Sequence, residues 1–112
     1  MVDLNKKTKM CMLADFYGNL LTEKQRKIFS SYWEQDFSLY EIAEELNITR
    51  QAVYDSLNKT ETILTDIENK CGFLNKYKEN KADLIDLLNS LDVSNSAQNV
   101  IADKIKAIIN KL

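Results

Sequence analysis

Few side chains in this sequence could carry out a covalent reaction. Histidine is absent, which removes the commonest general base, the commonest metal ligand and every Ser-His or Cys-His nucleophile arrangement. Cys11 and Cys71 stand alone, with no second Cys at metal-binding spacing. Each lies among apolar helical neighbours, a setting that predicts a small core residue. Asp83 and Asp86 are paired at i, i+3, but they flank the Leu84, Leu87 and Leu88 stripe and fit a wet helix face. What the residue types do offer is binding. Lys6, Lys7 and Lys9 form one cationic stretch, and Lys24, Arg26 and Lys27 form another. Such groups can neutralise phosphates, and they are as common on any solvated helix. No enzyme, metal site or cofactor is expected.

The elements that must position these groups are helices. Pro is absent and Gly occurs only at Gly18 and Gly72, whereas a β-rich fold needs turn residues about every eight to twelve positions. The fold class is therefore all-α. A first helix is predicted over about Asp3 to Tyr17, with Leu4, Met10 to Leu13 and Ala14 on its apolar side. Gly18-Asn19 would end it in a left-handed cap. Thr22 to Gln25 has the form of a capping box, and the helix behind it carries an apolar stripe of Ile28, Phe29, Tyr32 and Trp33. A second capping box, Ser38 to Glu41, opens a short helix that reaches about Leu46, with Phe37 stapling its start. Asn47 is suited to a left-handed turn, and Thr49 caps a long helix from Arg50 with a seam of Val53, Leu57, Thr60, Leu64, Ile67 and Cys71. Gly72 stops it. Two amphipathic helices follow, about Phe73 to Leu91 and Ser96 to Leu112, joined by a polar turn at Asp92 to Asn95.

This pattern divides the chain into a domain over 1–72, with its central motif at about 38–58, and a two-helix extension over 73–112. The motif has the buried, small and buried order of a helix-turn-helix. Ile42 and Leu46 point inward, Ala43 is small where the next helix crosses, Ile48 plugs the turn, and Val53 and Leu57 anchor the far side.

The run Glu41-Ile42-Ala43-Glu44-Glu45-Leu46-Asn47-Ile48-Thr49-Arg50-Gln51-Ala52-Val53 resembles the promoter-reading region four of bacterial sigma factors, and Leu21 to Arg26 resembles the start of that domain. The resemblance covers about Leu21 to Leu57. It implies a helix-turn-helix bundle of that type with a long third helix, Arg50, Gln51 and Tyr54 facing a major groove, and Ser38 and Thr49 near phosphates. Over its whole length the chain is more similar to the YlxM family, small helix-turn-helix proteins of Gram-positive bacteria. Leu20 to Gln35, Asp36 to Asp55 and Ile63 to Leu74 carry that similarity. It implies an accessory or regulatory role in the signal recognition particle pathway, with the particle's GTPase or its RNA as partner.

Charge bears on the choice of ligand. Residues 1–31 hold six basic and three acidic side chains, net +3, and residues 69–112 are net +2. Residues 32–68, which contain the motif, hold only Arg50 and Lys59 against nine acids, net −7. A sigma-type recognition helix carries several cations after its Val, where this chain has Tyr54, Asp55, Ser56 and Asn58, with Lys59 the one cation before Glu61. Asp55 near the reading face would repel phosphate by about 1 kcal/mol at close range in water-like dielectric.

Three functions stay open on these grounds. One is an RNA- or protein-binding module of the targeting particle, with Lys6, Lys7, Lys9, Lys24, Arg26 and Lys27 as contacts. The second is a transcriptional regulator binding duplex DNA through Ser38, Thr49, Arg50, Gln51, Tyr54 and Lys59. The third is a structural homodimer joined through the C-terminal helices, whose apolar stripes are wide. No export signal is visible, no apolar run approaches the roughly 20 residues of a membrane span, and two free thiols fit a reducing, cytoplasmic setting.

Overall fold

The computed structural model describes residues 4–112 and is all-α. Its helices are α1 (Leu4–Tyr17), α2 (Glu23–Trp33), α3 (Leu39–Leu46), α4 (Arg50–Cys71), α5 (Phe73–Asn89) and α6 (Ser96–Lys111). No strand occurs among the described residues. The chain forms two compact units that divide between Gly72 and Phe73. The expected helix start at Asp3 and the side chain of Leu4 lie outside what is described.

In the first unit α4 is the spine, with α1, α2 and α3 all packed against it. Val53, Leu57, Thr60 and Leu64 recur at i, i+4, i+7 and i+11 and form its buried seam. Thr60 is wholly buried with its hydroxyl satisfied, since it donates to the carbonyl of Leu57 at 3.0 Å. Met10, Leu13 and Tyr17 from α1 and Ile28, Phe29 and Trp33 from α2 complete the core. Trp33 lies edge-on to Tyr32, with ring centroids 4.9 Å apart, a favoured aromatic geometry.

The helix boundaries follow local chemistry. Both capping boxes form. Thr22 accepts from the Gln25 amide while the Gln25 side chain accepts from Thr22, and Ser38 and Glu41 do the same one helix later. Asn47 takes the left-handed conformation, φ 55°, and turns the chain between α3 and α4. Thr49 caps α4 by accepting from the amide of Ala52. Gly72 ends α4 with φ 68°, a conformation that costs a side-chain-bearing residue about 1–2 kcal/mol.

Two expectations need correction. Gly18 and Asn19 are not left-handed; they open a single 3-10 turn, Gly18–Leu20, which tightens the exit from α1 instead of capping it. Cys71 is exposed at the last position of α4 and is not a core residue, while Cys11 is half-buried. The seam of α4 fades after Leu64, since Ile67 is only half-buried.

The second unit is a helical hairpin. The connection is polar and internally bonded: Asp92 accepts from the Ser94 amide and hydroxyl, and Asn95 caps α6 by accepting from Ala97 and Gln98. Ala102 and Ile105 of α6 are buried. Leu87, Val100, Ile101, Ile108 and Leu112 remain exposed, so the wide stripes exceed what one hairpin covers.

Candidate nucleic-acid interface

The motif closes as a tight corner. Ile42 and Ala43 of α3 are buried, Leu46 and Ile48 are half-buried, and Val53 and Leu57 receive them from α4. Ala43 and Glu44 carbonyls accept the amides of Ile48 and Asn47, which pins the turn. This corner fixes how the first turns of α4 leave the core. Arg50, Gln51 and Tyr54 come off it exposed, and with Thr49 and Leu39 they line one shallow hollow. Four residues that the sigma-type resemblance assigns to DNA contact therefore share a surface.

Not all of their polar atoms are equally available. The Gln51 amide donates to the Asp55 carboxylate at 2.8 Å, which leaves its second N–H and its carbonyl oxygen without a partner among the described residues. The Ser38 and Thr49 hydroxyls accept from backbone amides in their own helices, so each serves first as a cap. Tyr54 is half-exposed.

The second set of candidates is divided by the fold. Lys6 pairs with Glu61 of α4 at 2.9 Å, Lys7 with Asp36 at 2.7 Å, and Lys27 approaches Glu45 at 4.0 Å. Lys9 is exposed on α1. Lys24 does not stay with Arg26 and Lys27. It lines a hollow with Lys59 and Ser56 of α4, and at about 100° per residue it faces away from Arg26 though only about 60° from Lys27. Arg26 and Lys27 line a different hollow, with Asp15 and Glu34. Lys24, Arg26, Arg50 and Lys59 enter no ion pair among the described residues.

These pairings change the meaning of the acidic motif. Asp36, Glu45 and Glu61 face the lysines of α1 and α2, Glu41 serves the Ser38 cap, and Glu44 accepts from the Tyr40 hydroxyl. The basic N-terminal stretch and the acidic motif thus neutralise each other in part, and residues 1–72 together hold nine basic and twelve acidic side chains. Exposed pairs of this kind contribute about 0–1 kcal/mol each, so their main effect is on the surface field. Pairing across tens of residues is not readable from local spacing; the opposite facing of Lys24 and Arg26, two residues apart on one helix, is.

No group of three or more Cys, Asp or Glu residues that could hold a metal ion occurs among the described residues. No described helix is long and apolar enough to cross a membrane.

The family model described as "Putative helix-turn-helix protein, YlxM / p13 like" (UPF0122) matches residues 4–108. The chain belongs to this family. Among curated relatives, the UPF0122 protein of Exiguobacterium sibiricum is 46% identical over 99 residues, 88% of this chain and 92% of the relative. That of Bacillus pumilus is 43% identical over 109 residues, 97% of each chain. The UPF0122 protein YlxM of Bacillus subtilis is 49% identical over 80 residues, 71% of this chain and 73% of the relative. The match takes in both compact units and the whole helix-turn-helix.

Proposed function

We propose that this protein is a cytoplasmic regulatory module that binds nucleic acid through the exposed face of α4 and acts as an accessory of the signal recognition particle pathway. The observation that carries the binding reading is the convergence of Thr49, Arg50, Gln51 and Tyr54 on one open surface, with Arg50 outside every ion pair among the described residues. The pathway rests on the resemblance to the YlxM family, which implies the particle's RNA or its GTPase as partner. No catalytic group enters this reading; the protein acts by occupying its partner.

The experiment is fluorescence anisotropy of the full chain against the particle's RNA, its purified GTPase and random duplex DNA at physiological salt. At that salt the Debye length is about 8 Å and weak long-range attraction is screened. The expected result is saturable binding to the RNA, weakened about tenfold by Arg50→Ala, with the duplex washed out by salt. Binding to none of the nucleic acids sinks the binding reading. GTPase binding that ignores Arg50→Ala moves the partner surface away from α4.

A second reading is a sigma-type regulator of transcription. It is favoured by the unengaged N–H and carbonyl of the exposed Gln51, a pair that matches the adenine edge in a major groove. Its signature is sequence-selective duplex binding that persists at physiological salt. A homodimer joined through α6 is compatible with either reading and is supported by the exposed Val100, Ile101, Ile108 and Leu112.

A further inference from the structure

Arg50 and Lys59 are nine residues apart on one helix, α4. At about 100° per residue that separation is half a turn round the axis, so the two cations leave α4 on opposite flanks. The Lys59 flank is not a bare helix side. There α4 meets the start of α2, and Lys24 from α2 and Lys59 from α4 line one hollow, with the half-buried Ser56 beside them. Neither lysine enters an ion pair among the described residues, although Asp55 lines the same hollow. Asp55 accepts from the side-chain amide of Gln51, which engages one of its carboxylate oxygens. In the same unit Lys6, Lys7 and Lys27 all have acidic partners. Two cations that line one hollow from separate helices repel one another, and an anion between them relieves that repulsion.

We infer that Lys24 and Lys59 form a phosphate subsite for the backbone of the nucleic acid that α4 engages. The inference rests on the nucleic-acid reading above and extends it. α4 lies between two phosphate chains, Arg50 towards one and the Lys24–Lys59 hollow towards the other. The ligand chemistry is a backbone phosphodiester, supplied by the particle's RNA or by duplex DNA. The arrangement also accounts for binding by a unit with an acid excess, because the cations stand at the two flanks where phosphates would pass.

The test compares Lys24→Gln, Lys59→Gln and their double variant with the wild type, and uses Lys70→Gln as a distant control. Salt titrations of affinity are run separately on the particle's RNA and on duplex DNA, after circular dichroism has shown unchanged helicity. Each lysine that neutralises one phosphate contributes about 0.9 to the slope of log K against log salt on B-DNA and about 0.7 on a single strand. The expected result is a loss of about one of these increments in each single variant, about two in the double variant and none in Lys70→Gln. The nucleic acid on which the slope falls identifies the source of the phosphate. Slopes that stay at the wild-type value while Arg50→Ala weakens binding overturn the subsite and leave the α4 reading standing. Absence of wild-type binding to either nucleic acid overturns both.

Discussion

The two cysteines show how much a single side chain's surroundings decide. Cys11 sits half-buried with its thiol directed at the Trp33 carbonyl, 3.9 Å away. Burial pushes its pKa up, and the nearby carboxylate of Glu34 adds to the rise. Because the thiolate is the nucleophile, Cys11 needs a higher pH than an ordinary thiol before it reacts. Cys71 is exposed at the end of α4. Mass spectrometry after brief iodoacetamide treatment at neutral pH should therefore find Cys71 modified and Cys11 spared; equal labelling of both would contradict the burial. A second residue carries the motif's corner. Asn47 holds φ 55°, which Asn tolerates far better than Ala. Asn47→Ala should cost about 1 kcal/mol in urea unfolding, while Asn47→Gly should be close to neutral. An Ala variant as stable as the wild type would show that the turn is not under this constraint. Asn47 was legible in the sequence because a turn between two helices demands one left-handed residue, which is a local requirement. The exposure of Cys71 was not, because its cover depends on what packs beside the last turn of α4.

At the scale of elements the same division recurs. Capping boxes are four-residue patterns whose partners are fixed by the helix itself, so Thr22 to Gln25 and Ser38 to Glu41 could be located before any tertiary structure was known. The split of Lys24 from Arg26 needed only helical geometry, whereas Lys27, three residues on and about 60° round α2 from Lys24, lines the other hollow because of what packs around it. The ties of α1 to the rest of the unit needed the fold, because Lys6 finds Glu61 and Tyr17 finds Glu68 far along the chain. The turn between α5 and α6 is again local. The Ser94 hydroxyl and then its backbone amide donate to the Asp92 carboxylate and hold its pKa below the ordinary aspartate value. A depressed folded-state pKa contributes stability that is present above the unfolded-state value and lost as pH falls through the folded one. Asp92 should thus support the turn fully at neutral pH and release it only in acid. A carbon-detected NMR titration should place its midpoint below the model-peptide value of about 3.9. A midpoint at or above that value would mean that Ser94 does not hold the carboxylate in solution.

At the scale of the molecule the question is what the apolar surface of the second unit is for. The sequence showed that the stripes of α5 and α6 were wide, but width alone does not say which part the hairpin covers. In the structure Ile105 is buried and Ile108 is 46% exposed, so the two positions separate folding from association. Ile101 and Ile108 stand two helical turns apart on α6, at the seven-residue spacing that lets one helix pack along another. Single exposed apolar residues are ordinary, whereas a row of them along one helix marks a surface that another chain can cover. A twofold pairing of α6 with its copy would bury that row in both chains at once. Light scattering at micromolar concentration should then give twice the chain mass, and Ile108→Glu should return the monomer with its helicity intact. Ile105→Glu should instead lower helicity, because a charge buried without a partner is strongly destabilising. A monomeric wild type would remove the dimer and leave the α6 face to the protein partner. A dimer that survives Ile108→Glu would place the interface elsewhere. Two copies held in this way would present two α4 surfaces to one nucleic acid, and the second binding event would then be intramolecular.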